Sequence, residues 1–121
     1  MPLSPPSRQH LFLVEDDAMV RETIRLMLEE DYEISVAVSV SSALTHMRAP
    51  ETPKIDLMLL DCLLPDGRLS DVLAEADQRT IPVVLISGDP RQIEMMEPAR
   101  SFLAKPFTVA TLMAVLDTAR R

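Results

Sequence analysis

The strongest constraint on this fold is a repeated juxtaposition. Short apolar runs each end in residues that carry charge or a hydroxyl. Leu11-Phe12-Leu13-Val14 runs into Glu15-Asp16-Asp17, and Ile55-Asp56-Leu57-Met58-Leu59-Leu60 ends at Asp61. Val83-Val84-Leu85-Ile86 ends at Ser87, and Phe102-Leu103-Ala104 ends at Lys105-Pro106. Short runs that are apolar almost throughout suit strands buried on both faces, as in a parallel sheet. If the strands are parallel, their carboxyl ends share one edge. That edge gathers several carboxylates, a hydroxyl and an ammonium, a set able to hold a divalent cation and to accept a phosphoryl group.

The segments between the runs have helical spacing. After a first strand over 10–15, a helix over 18–30 places Met19, Ile24, Leu26, Met27 and Leu28 around a face otherwise rich in Arg and Glu, with Asp17 as its N-cap. Residues 33–38 alternate and suit a less buried strand, and Ser41 or Ser42 opens a short helix that runs through Met47 and closes near Pro50. A strand over 56–60 precedes the turn signal Leu64-Pro65-Asp66-Gly67. The helix over 69–77 carries Leu69, Val72, Leu73 and Ala76 on one face, and 81–86 reads as a central strand. Residues 90–98, charged and bracketed by Pro90 and Pro98, have room for one or two helical turns. A last strand over 101–104 leads to a helix over 108–119, capped by Thr108, with Val109, Leu112, Met113 and Leu116 inward.

Residues 1–8, with Pro2, Pro5 and Pro6, read as a loose tail, and 9–121 as one domain. Five β–α repeats in strict alternation predict a (βα)5 doubly wound parallel sheet with right-handed crossovers, an α/β fold. Ligands in such sheets bind beyond the carboxyl ends of the strands.

Composition narrows the function. A chain of 121 residues buries roughly two thirds of its unfolded surface. With 47% apolar but only 3% aromatic residues, its core must be aliphatic, the methionines acting as filler. The single Cys62 and the lack of a signal-peptide pattern point to a reducing cytoplasm. No apolar stretch approaches the roughly 18 residues of a membrane span. Twelve basic against 19 acidic residues give −7, which disfavours direct contact with nucleic acid or anionic membranes. The chain ends soon after the last helix, so no output domain is expected.

Glu15 and Asp16 would crowd Asp61, and carboxylates so placed repel one another. Mg²⁺, a hard cation that prefers oxygen, is the natural counterion. Lys105 can pair with Asp61 or with a phosphoryl oxygen, and Ser87, just before Gly88, is either a turn residue or a donor to that oxygen. Cys62 should point away from Asp61 and pack. His10 and His46 have no ligand-spaced partners and read as structural or solvent-facing. With only two glycines there is no Walker loop or dinucleotide fingerprint, and Ser87-Gly88 is not a nucleophile elbow.

Taken together, Val14-Glu15-Asp16-Asp17, Leu60-Asp61 with Leu64-Pro65-Asp66-Gly67, Ile86-Ser87-Gly88 and Lys105-Pro106-Phe107 resemble the receiver domains of bacterial two-component response regulators. The resemblance covers essentially all of 10–119. It implies a flavodoxin-like strand order 2-1-3-4-5, a phosphoacceptor at Asp61 and a direct Mg²⁺ ligand at Asp16. It further implies Glu15 as a second acid acting through water and the Leu63 backbone carbonyl as another ligand. Lys105 matches the family lysine, Ser87 the switch hydroxyl and Phe102 the aromatic switch. Leu63 and Asp89 flank the in-line water path.

The implied phosphodonor is a histidine kinase or histidine phosphotransfer protein; a homodimer is a conceivable assembly. The chain would be a stand-alone regulator or a receiver cut from a hybrid kinase, cytoplasmic, with no separate substrate to turn over. The Lys105–Pro106 bond is expected to be cis. The stretch from Gly88 to Ser101 is shorter than is usual in the family, which predicts a shortened fourth helix. Other classes stay open: a phosphorylation-independent docking module or phosphate sink, and an aspartate-nucleophile phosphatase, for which no cap segment is visible. Phe102 is either a moving switch or a fixed core residue.

Overall fold

A computed structural model describes residues 8–89, 91 and 100–120. Its elements are β1 (Gln9–Val14), α1 (Ala18–Leu28), β2 (Tyr32–Ala37), α2 (Val40–Arg48), β3 (Leu57–Asp61), α3 (Leu69–Gln78), β4 (Val83–Ser87), β5 (Ser101–Ala104) and a last helix, here α4 (Val109–Ala119). All strand pairs are parallel, in the order β2-β1-β3-β4-β5. The expected turns at 90–98 and the tail at 1–7 lie outside the described residues. Among the described residues, no helix is long and apolar enough to cross a membrane.

The period-two geometry of the strands divides the core between two faces. Phe12 and Val14 of β1, Met58 and Leu60 of β3 and Leu85 of β4 pack with Val40, Ala43 and Met47 of α2 and with Val72 and Ala76 of α3. The alternate residues, Leu11, Leu13, Leu57, Leu59, Val84, Ile86 and Leu103, meet Ile24 and Leu28 of α1 and Leu112 and Leu116 of α4. Central strands β1, β3 and β4 are thus apolar on both sides, while the edge strand β2 is less buried, as expected, but does not alternate: only Tyr32 and Ala37 at its two ends are buried.

Three expectations need correction. Met19 and Leu26 are 80% and 58% exposed, because α1 meets the sheet through Ile24 and Leu28, with Val20 and Met27 partly buried beside them. Val109 is likewise exposed at the start of α4. The second helix starts at Val40, one or two residues earlier than expected. Ser39 caps it, accepting from Ser42 N while the Ser42 hydroxyl accepts from Ser39 N, a reciprocal capping box. Asp17 and Thr108 cap their helices as expected.

Candidate functional site

Alternation along the strands also builds the site. Glu15 follows Leu11 and Leu13 on the α1/α4 face, Asp61 follows Leu57 and Leu59, and Lys105 follows Leu103. The strands are parallel and in register, so all three side chains emerge at one end of one face. Possible ligand atoms of Glu15, Asp16 and Asp61 lie within 4.8 Å of one another. Lys105 Nζ is 3.0 Å from Glu15 Oε1 and 3.6 Å from Asp61 Oδ1. The lysine therefore pairs more closely with Glu15 than with Asp61, the partner that the sequence suggested.

Burial makes this arrangement electrostatically tense. Glu15 is fully buried and Asp61 is 4% exposed, whereas Asp16 faces solvent. Desolvation pushes the Glu15 carboxyl up to about 8; the neighbouring Asp61 carboxylate adds to that rise, and Lys105 opposes it. For Lys105 burial pulls downward, but the bond to Glu15 and the charge of Asp61 outweigh it and leave the ammonium raised. Glu15 Oε2 is buried without a hydrogen-bond partner. Buried carboxylate oxygens in proteins ordinarily find a donor or a cation. Clustered hard oxygens with one lone pair set unmet fit Mg²⁺, which takes one or two carboxylates and keeps several waters.

The surrounding loops hold these groups in place. Glu15 N donates to Ala37 O at 3.0 Å, tying the end of β1 to β2. Lys105 N donates to Ser87 O at 2.8 Å, and the Lys105–Pro106 bond is cis, as expected. The Ser87 hydroxyl donates to Asp89 O and accepts from Asp89 N, both at 2.9 Å, so the turn reading of Ser87 holds in this state. Leu63, two residues after Asp61 in the β3–α3 loop, is 62% exposed. Phe102 is 46% exposed on the edge strand, so it is not buried in the core in this structure.

Cys62 packs against the α2/α3 side of the core, and burial, aided by the charge of Asp61, pushes its thiol up to about 11. His10 meets Lys54 O at 3.0 Å and the Ser35 hydroxyl at 2.6 Å, and His46 packs on the Phe12 ring at 4.5 Å, both structural roles.

Two supporting residues escaped the sequence reading. Arg21 of α1 donates through Nη1 to Glu15 O at 3.1 Å and to Asp16 O at 3.2 Å. Asp66, in the turn after β3, accepts from Val40 N at 2.8 Å and from Ser41 N at 3.2 Å, capping α2 from 26 residues away. Gly67 follows at φ +66°, and a Cβ there would lie 2.7 Å from Val40 Cγ1. For Arg21, its place six and five residues after Glu15 and Asp16 is the only signal. The turn motif marked Asp66 without naming its target.

Comparison with known proteins agrees with this geometry. The family model for the response regulator receiver domain matches residues 11–117. The transcriptional regulatory protein CseB of Streptomyces coelicolor is 33% identical over 112 residues, covering 87% of this chain and 46% of that protein. The phosphate regulon transcriptional regulatory protein PhoB of Escherichia coli is 28% identical, covering 93% and 52%. The chain thus spans about half the length of these relatives. A receiver domain from Methylobacillus flagellatus superimposes with a TM-score of 0.74 at 27% identity, covering 93% of this chain and 99% of that one. The receiver domain of a Pseudomonas aeruginosa sensor histidine kinase, described with a magnesium ion in its active site cleft, gives 0.77 at 24% identity, covering 94% and 98%. With the model match spanning nearly the whole sheet and its pocket, the chain belongs to the response regulator receiver domain family of two-component systems.

Proposed function

We propose that this receiver domain is a Mg²⁺-dependent phosphoacceptor that takes a phosphoryl group onto Asp61 from the phosphohistidine of a kinase or phosphotransfer protein. One observation carries the reading: three carboxylates within 4.8 Å, one with a buried unmet oxygen, share a sheet edge with Lys105. An Asp61 carboxylate oxygen attacks phosphorus, the P–N bond to the donor imidazole breaks, and its electron pair stays on that ring nitrogen, so that a phosphohistidine protonated on its other nitrogen leaves as neutral imidazole. Asp16 and Asp61, with Glu15 through water and the Leu63 carbonyl, would hold Mg²⁺, which neutralises charge on the transferring oxygens. Lys105 supplies a second positive charge beside Asp61, and the recessed position of Asp61 restricts access of bulk water.

Once Asp61 is phosphorylated, Ser87 exchanges its turn bonds for a phosphoryl oxygen, and Phe102 moves from its half-exposed position toward the sheet. The surface around β5 and α4 then changes its affinity for a downstream protein. The domain acts in the cytoplasm, turns over no separate substrate, and makes no direct contact with nucleic acid or membrane. Amide shifts on adding beryllofluoride should reach Phe102 and α4. Shifts confined to the loops around Asp16 and Asp61 would make the domain a phosphate sink.

Labelling with acetyl phosphate, with mass spectrometry of the modified peptide, tests the central step. Wild type should carry one phosphoryl group on Asp61 only when Mg²⁺ is present, and Asp61→Asn none. Undiminished labelling of Asp61→Asn would refute the assignment.

A further inference from the structure

Arg21 stands outside the pocket yet touches the backbone of both its neighbouring acids. From α1 its guanidinium donates to the carbonyls of Glu15 and Asp16 at 3.1 and 3.2 Å. The nearby helix carboxylate Glu22 is taken by Arg25, whose Nε donates to Glu22 Oε2 at 3.0 Å. Arg21 is thus turned toward the β1–α1 loop and away from the ion pairs along α1.

The consequence follows from what else holds that loop. The Glu15 N–H is fixed by Ala37 O on β2, and the Asp17 carboxylate is fixed by the N–H groups of Met19 and Val20. Between these anchors, the two peptide planes that carry Glu15 and Asp16 are oriented by Arg21 through its bonds to their carbonyls. Those planes decide the directions in which one carboxylate enters the interior and the other stays at its mouth. The guanidinium also brings a permanent positive charge to a loop whose carboxylates repel.

We infer that Arg21 is a positioning residue for the acidic pair, holding the Glu15–Asp16 segment so that both carboxylates stay within reach of Asp61. It sets the affinity of the pocket for its cation and leaves the phosphoryl-transfer step to Asp61 and Lys105. This inference rests on the phosphoacceptor reading above. A residue that supports a metal ligand from outside characteristically changes metal affinity by 10–100-fold when removed.

The test uses Mg²⁺ itself as the probe, by calorimetric titration and by Mg²⁺-dependent melting, on wild type, Arg21→Ala and Arg21→Lys. Arg21→Ala should bind Mg²⁺ at least about tenfold more weakly. At saturating Mg²⁺ its acetyl-phosphate labelling rate should stay close to that of wild type. Arg21→Lys, which keeps the charge and can reach one carbonyl, should recover part of the affinity. Arg21→Gln, which keeps a long stem and an amide donor, replaces Arg21→Ala if the latter does not fold, with weakened binding again expected. Unchanged Mg²⁺ affinity in the variant, or a fall in the saturated rate at unchanged affinity, overturns the inference while leaving Asp61 as phosphoacceptor. Wild type that binds no Mg²⁺ overturns the phosphoacceptor reading as well.

Discussion

Two regions of this molecule use carboxylates in opposite ways. On the α2–α3 flank, Asp66 accepts from Val40 N and Ser41 N, and Glu75 accepts from Arg48 Nε and Arg79 Nε, both at 2.8 Å. The bond from Val40, with that from Ser41, holds the Asp66 carboxyl below its ordinary value, and Arg48, then Arg79, does the same for Glu75. At the strand ends, Glu15 is fully buried, leaves an oxygen unmet, and is pushed up to about 8. The flank spends negative charge on holding helices and loops together. The pocket instead buries carboxyl groups with too few partners, at the expense of the folded state, a pattern that marks sites shaped by function.

The difference has a pH signature of opposite sign in the two regions. Glu15 keeps its proton up to about 8 when folded and up to an ordinary value of 4.5 when unfolded. Its contribution is therefore fully present below about 4.5 and is lost as pH rises toward 8. Metal-free wild type should lose stability across that window, and Glu15→Gln should remove most of the slope. At about 1.4 kcal/mol per unit of displacement the effect is on the order of several kcal/mol, the opposing pull of Lys105 being already contained in the raised value. Chemical denaturation at several pH values in chelator checks it, and a slope unchanged in Glu15→Gln would break the contrast.

Gly67 probes the flank. Its positive φ and the 2.7 Å approach to Val40 leave no place for a side chain. Gly67→Ala should cost about 1–3 kcal/mol while the Mg²⁺ response of the pocket persists. Parallel loss of that response would mean that the two regions are not separable.

Smaller effects are expected at Asp66. Its carboxyl lies below the ordinary 3.8, so its contribution is present above that value and is lost as pH falls through the folded pKa. Asp66→Ala should melt slightly lower than wild type at neutral pH, with the gap closing in acid. A gap that widens in acid would show that Asp66 does not act as an anionic cap.

How much of this was legible in the sequence depended on range. The strands stood out because central parallel strands must be apolar on both faces, and their ends put Glu15, Asp61 and Lys105 together by alternation alone. Periodicity failed at Met19, Leu26 and Val109, since a helix meets the sheet along a narrower stripe than its apolar residues suggest. A serine-rich stretch offers several helix starts, and the reciprocal bond between Ser39 and Ser42 makes Ser39 the cap where the sequence points to Ser41 or Ser42. Arg21 and Asp66 act on backbone atoms, which leave no compositional trace. The preference of Lys105 for Glu15 over Asp61 comes down to differences of tenths of an ångström.

The most direct measurement compares the stability of wild type and Asp61→Asn, first in chelator and then with saturating Mg²⁺. Asp61→Asn keeps the shape of the side chain and removes one of the crowded charges. It should therefore be the more stable protein without metal, and saturating Mg²⁺ should shrink or reverse that advantage by stabilising wild type more strongly. An Asp61→Asn protein less stable than wild type in chelator, or an equal Mg²⁺ gain in both, would contradict a pocket whose carboxylates are held in repulsion for a cation and a phosphoryl group.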